Sequence, residues 1–161
     1  MTDDEDSERR IRRRLRDDFA HYAEKCLSIR PKIGPVEPFK LNSVQERLHR
    51  AAEDQIERTG KVRKLILKAR QTGVSTYVEG RFYWHTTHQR GTRAFILTHK
   101  DEATDNLFEM AKRFHAHCPG AVKPRTTASN AKELKFGLLD SSYRVGTAKA
   151  EGVGRSDTIQ L

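Results

Sequence analysis

Residues 62–76 read Val62-Arg63-Lys64-Leu65-Ile66-Leu67-Lys68-Ala69-Arg70-Gln71-Thr72-Gly73-Val74-Ser75-Thr76. The nearly continuous apolar run over 62–67 predicts a short strand buried on both faces, as in a parallel sheet. The residues after it have the makings of a phosphate cradle. Such a cradle needs backbone N–H groups converging on an anion, a glycine where the chain bends tightly, and a helix start behind it. It also needs a cation near the outer phosphates and a Ser or Thr hydroxyl for Mg2+. The usual pattern is G-x-x-x-x-G-K-(S/T). Gly73 stands at its second glycine and Ser75 at its hydroxyl, but Val74 holds the lysine position and Lys68 the first glycine position. A lysine at the front of the loop can reach back over phosphates, and Arg70 can add a second cation. The same residues also suit an ordinary strand-to-helix turn with solvated cations, and spacing alone leaves both readings open.

Upstream, Asn42 is placed to cap a helix running to Thr59, with Val44, Leu48, Ala51, Ala52 and Ile56 on one face and Gly60 after its end. Residues 31–40 contain Pro31, Gly34, Pro35 and Pro38, which suits a linker rather than a helix or central strand. Residues 1–30 mix charges densely around a narrow stripe of Ile11, Leu15, Phe19, Tyr22 and Ala23. That pattern predicts an exposed helical arm. Its run Arg9-Arg10-Ile11-Arg12-Arg13-Arg14 suits a solvated face laced with i,i+4 ion pairs better than a nucleic-acid contact.

Downstream, residues 75–89 read as helix, 93–98 as a second buried strand, and 100–117 as a helix closed by Pro119-Gly120. The period then changes to two. Leu134, Phe136 and Leu138 alternate, Asp140-Ser141 offers a turn, and Tyr143 and Val145 alternate again, which predicts a β-hairpin. Ile159-Gln160-Leu161 begins another apolar run. This order of elements predicts a doubly wound α/β domain over 41–161, behind a 1–30 arm and a 31–40 linker.

Composition narrows the partners. The 161 residues carry 31 Lys+Arg against 22 Asp+Glu, a net charge of +9. Residues 1–30 are neutral, so the excess lies in 31–161 and suits a polyanion such as nucleic acid or nucleotide phosphates. No apolar stretch is long enough to cross a bilayer. The acidic start Met1-Thr2-Asp3-Asp4-Glu5-Asp6 has no signal-peptide character. Cys26 and Cys118 read as reduced thiols. His115, His117 and Cys118 lack a suitably spaced fourth metal ligand. Ser75 has no His–Asp pattern for nucleophilic catalysis.

The ordered set of motifs is more specific than the loop alone. Leu65 to Thr76 resembles the ATPase loop of tailed-phage and prophage terminase large subunits, many of which carry an aliphatic residue at the loop lysine and a lysine at the front. Phe39-Lys40-Leu41-Asn42-Ser43-Val44-Gln45 resembles that family's adenine-binding glutamine motif. Phe95-Ile96-Leu97-Thr98-His99 with the following helix resembles its second strand and helix. Phe136 to Ala148, then Gly152-Val153-Gly154-Arg155-Ser156, resembles the hairpin and glycine–arginine loop ahead of the Walker B strand.

The resemblance implies a P-loop NTPase-type parallel sheet, incomplete here, that binds ATP and Mg2+. In it Gln45 hydrogen-bonds the adenine edge, and Lys68 neutralises phosphate oxygens. Arg70 acts as the catalytic, finger-like cation. Ala69, Gln71, Thr72, Gly73 and Val74 form the loop backbone, Ser75 holds the metal and Thr76 supports the helix start. Arg155 faces a neighbouring subunit's nucleotide. The resemblance further implies double-stranded DNA, a terminase small subunit and a portal protein as partners, with no membrane. It implies the bacterial host's cytoplasm and a homo-oligomer at full length. The family's acidic Walker B pair and nuclease cluster have no counterpart in the sequence, so the expectation is a front portion that hydrolyses ATP negligibly alone. A helicase-like ATPase fragment, which normally keeps lysine where Val74 stands, and a non-catalytic nucleic-acid-binding module are the alternatives.

Overall fold

The computed structural model describes residues 3–130 and 132–148; Arg155 and the apolar run 159–161 lie outside the described residues. The elements in order are α1 (Asp3–Asp17), α2 (Phe19–Cys26), β1 (Ser28–Ile29), β2 (Glu37–Pro38), α3 (Ser43–Thr59) and α4 (Val74–His88). They continue with β3 (Arg93–Thr98), α5 (Asp101–His117), β4 (Ala128–Ser129), β5 (Glu133–Phe136) and β6 (Ser141–Thr147).

The class is α/β, but the sheet is mixed rather than parallel. Its order is β3-β6-β5-β4. Only β3 and β6 run parallel, with Ile96 opposite Val145, while β5 joins β6 as the expected antiparallel hairpin. Helices α4 and α5 pack on β3 and β6. Ala94, Tyr143 and Val145 point toward that covered side, whereas Arg93 and Leu97 are exposed. So β3 is not buried on both faces among the described residues.

The first strand expected from sequence does not form. Residues 62–69 form neither helix nor strand and pair with no described strand, and Leu65 and Leu67 are fully exposed. A segment becomes a strand only where another strand's N–H and C=O groups face it, and no described strand faces this one. Val62 and Ile66 instead edge an apolar groove of 640 Å³ between α3 and α4.

The arm and the linker also differ from expectation. The arm is two helices broken at Asp18, whose carboxylate caps α2 by accepting from the His21 N–H at 2.9 Å. In α1 the stripe is divided, with Ile11 exposed and Leu15 buried in the core, and Arg12 pairs with Glu8 at 2.6 Å as an i,i+4 ion pair. In α2, Phe19, Tyr22, Ala23 and Cys26 are core residues. A stripe is buried wherever another apolar surface lies opposite it, and for α2 that surface is α4. The linker folds back as the antiparallel β1–β2 pair. This returns Phe39 to the core, stacked on Phe114 at 6.3 Å between centroids.

Helix α4 lies at the centre of these contacts. Gly80 lets the N-terminal layer close in, since a Cβ there would meet Phe39 at 3.0 Å and Leu27 at 3.3 Å. The Arg81 guanidinium, buried over the rings of Phe19 and Trp84, pairs with Glu53 at 2.6 Å and donates to the Tyr77 hydroxyl at 3.1 Å. The Trp84 indole N–H donates to the Leu15 carbonyl at 2.9 Å. His115, one of the residues weighed for metal, is bonded to the Tyr83 hydroxyl at 2.9 Å. Glu79 accepts from the Tyr143 hydroxyl on β6.

Glu79 is 1 % exposed, and burial pushes its carboxyl from the ordinary 4.5 up to about 8. The folded chain therefore keeps a proton that the unfolded chain releases, so this group's stabilisation is full below pH 4.5 and declines as pH rises toward 8. Glu79→Gln keeps an acceptor for Tyr143 and cannot ionise. Thermal melts should show it close to wild type at pH 5 and more stable at pH 8.5, by about 1–3 kcal/mol. The exposed leucines give a second check. Leu65→Ser with Leu67→Ser should shift stability by less than about 0.5 kcal/mol, because neither side chain is buried. Light scattering should meanwhile show slower aggregation of the 161-residue chain.

Candidate functional site

Residues 68–76 sit where the 62–69 segment meets the start of α4. The turn is tight at two places. Gln71 has φ 65° and Gly73 has φ 76°, both left-handed, and Gly73 is the N-cap of α4. The helix begins with the Tyr77 N–H donating to the Gly73 carbonyl at 3.0 Å. The N–H groups ahead of Tyr77 lie in the first turn, where a helix offers them no carbonyl. They and the positive end of the helix dipole face the loop mouth.

Side chains divide by what they touch. Val74 is 6 % exposed and turned into the protein, so only its backbone can serve a ligand. Ser75 is exposed, and no hydrogen bond among the described residues occupies its hydroxyl. Lys68, Ala69, Arg70 and Gln71 are exposed, and neither cation has an ion pair among the described residues. Thr72 is half-buried and donates to the Ala69 carbonyl at 3.3 Å, closing the turn. Thr76 is half-buried beside Ser75. The loop thus offers two exposed cations, one exposed hydroxyl and the first-turn N–H groups that the helix leaves without a carbonyl.

Two residues of the preceding segment hold the loop from behind. The Asn42 carboxamide caps α3 through its oxygen, accepting from Val44 and Gln45 N–H at 3.0 Å each. Its nitrogen donates to the Thr72 carbonyl at 3.3 Å. Gln45 is 4 % exposed; its oxygen accepts from the Asn42 N–H at 2.9 Å and its nitrogen donates to the Gly73 carbonyl at 2.7 Å. Sequence reading missed Asn42 as a loop contact, although its place at a helix start was legible as a cap. A side chain with two different polar ends can cap one backbone and hold another, and only the fold shows the second.

Among the described residues no cluster of three or more His, Cys, Asp or Glu side chains could hold a metal.

The chain matches the crystal structure of the HK97 bacteriophage large terminase with a TM-score of 0.64 over 84% of its own length, at 19% sequence identity. Its fold is similar to that of a phage large terminase. The match spans 28% of the terminase chain, so this chain corresponds to under a third of that protein. No family model matches the chain, and no curated protein matches it in sequence. At this identity the likeness is one of backbone path. No helix among the described residues is long and apolar enough to cross a membrane.

Gly73→Ala tests the loop geometry directly. A Cβ at this position would meet the Gln45 amide nitrogen at 2.6 Å and the Asn42 nitrogen at 3.2 Å, at a φ that L-residues rarely adopt. The substitution should destabilise the chain by about 1–3 kcal/mol, from the left-handed backbone and the displaced contacts, as measured by denaturant unfolding.

Proposed function

We propose that residues 68–76 hold the phosphates of ATP with Mg2+, and that the chain is the nucleotide-binding front portion of a terminase large subunit. The work of such a subunit is to drive double-stranded DNA into a procapsid. On this reading the small subunit, the portal protein and further copies of the subunit are its partners, in the cytoplasm of a bacterial host. The observation that carries the proposal is the division of the loop. Val74 is packed inward, while the Lys68, Arg70 and Ser75 side chains are exposed in the residues that lead into and begin α4. The terminase-like fold supplies the setting.

The residues present fit the ligand. A phosphate chain is anionic and accepts hydrogen bonds, and the loop presents donors and cations. The exposed Ser75 hydroxyl is the atom that would hold the metal ion, which in such sites screens the charge of the outer phosphates. Lys68 leaves the 62–69 segment at the loop mouth, and its four-carbon stem can cross the loop. Arg70, from inside the turn, can meet charge that develops on the outer phosphate. The sequence has no acidic pair after an apolar strand to orient water. Binding of the phosphate chain is the activity that this loop supports.

Titration with a fluorescent ATP analogue and Mg2+ tests the assignment. A lysine–phosphate contact in a partly closed site is worth about 2–3 kcal/mol. Lys68→Ala should therefore weaken binding roughly 30- to 150-fold, while Val74→Ala changes it little. Wild-type affinity in Lys68→Ala, with loss in Arg70→Ala, would transfer the role to Arg70. No binding by the wild-type chain would end the proposal.

A further inference from the structure

Gln45 is placed to do something other than read a base. Its carboxamide is almost wholly buried, and both polar ends already have partners within the chain. The orientation of the amide follows from those partners. Turned over, its oxygen would face the Gly73 carbonyl and its nitrogen the Asn42 N–H, two repulsive contacts in place of two bonds. Asn42 repeats the arrangement one residue earlier on the loop, donating to the Thr72 carbonyl. Consecutive carbonyls of the loop are therefore drawn backward by consecutive donors from the α3 cap. A peptide unit whose C=O is held on one side has its N–H directed to the other, since the two are antiparallel across the planar bond. Holding the Thr72 and Gly73 carbonyls thus turns the N–H groups of Gly73 and Val74 toward the outer side of the loop, where Lys68, Arg70 and Ser75 are exposed.

We propose that Gln45 and Asn42 are positioning residues that lock the phosphate loop in its binding conformation, and that Gln45 does not select the base. The consequence for specificity is that affinity comes from the phosphates, with equal dependence on Gln45 whether the base is adenine, guanine or absent. This rests on the phosphate-binding reading of the loop. The loop-locking part can also be tested with no ligand present.

Three variants separate the roles. Gln45→Met removes the donor to Gly73 without adding charge. Gln45→Glu removes the same donor but keeps the acceptor for the Asn42 N–H, as a capping-box glutamate does. Asn42→Ser keeps the helix cap but is too short to reach Thr72. The first measurement is hydrogen exchange of the segment 69–77 in the ligand-free chain. All three variants should exchange at least about five-fold faster there, the effect of one lost neutral hydrogen bond, with melting of Asn42→Ser close to wild type. Unchanged exchange in all three overturns the lock. The second measurement is binding of ATP, GTP and inorganic tripolyphosphate. Gln45→Met should weaken all three by the same factor, about five-fold, leaving the ATP-to-GTP ratio unaltered. A Gln45→Met chain that loses ATP affinity but keeps GTP and tripolyphosphate would make Gln45 a base reader and overturn the proposal. If the wild-type chain binds none of the three while the variants still exchange faster, the lock stands and the phosphate-binding reading falls.

Discussion

The structure depends on one helix being buried nearly all round. α4 carries Glu79, Arg81, Thr86 and Thr87 inside the protein as well as Tyr77, Tyr83 and Trp84. A polar group without water must find a partner or the helix cannot be covered. Each finds one. Arg81 meets Glu53 and Tyr77, Glu79 meets Tyr143, and both threonines donate to carbonyls one turn back. Those partners come from α3, from β6 and from α4 itself. The position of α4 is therefore fixed by directional bonds as well as by packing, and the loop at its start inherits that position.

This burial explains why some of the fold was legible and some was not. The bounds of α3 and α5 followed from apolar spacing, from Asn42 as a cap and from Gly60 and Pro119 as stops. The β5–β6 hairpin followed from alternation around Asp140. α4 has no single apolar stripe, because its polar residues are inside too, so the extent of its burial was not legible from period. The 62–67 segment shows the opposite failure. Val62, Leu65, Ile66 and Leu67 have the composition of a buried strand, but composition states what a residue prefers and not which neighbour is there to meet it. The same gap separates the expected arm from the observed α2. Phe19 and Tyr22 were correctly seen as one stripe, yet nothing local reveals that α4 lies against it.

The candidate site divides along the same line. Lys68, Gly73 and Ser75 were legible because their order along the chain carries the chemistry. That Val74 can offer only its backbone was legible from its lack of a polar group, whereas its inward turn comes from the fold. The hold of Asn42 and Gln45 on the loop was not, because it joins residues about 30 positions apart in sequence through backbone carbonyls that no motif encodes.

The bond from Trp84 to the Leu15 carbonyl gives α4 a mechanical character. The helix is gripped near its end by α1, at its middle by β6 and α3, and at its start by Asn42 and Gln45. A rod of 15 residues is about 22 Å long, and held at these stations it bends little. A push at Gly73 is therefore not absorbed where it is applied. It travels as a displacement of the whole rod, and the charged N-terminal helix, joined to the far end by the indole bond and by the buried Leu15, is carried with it.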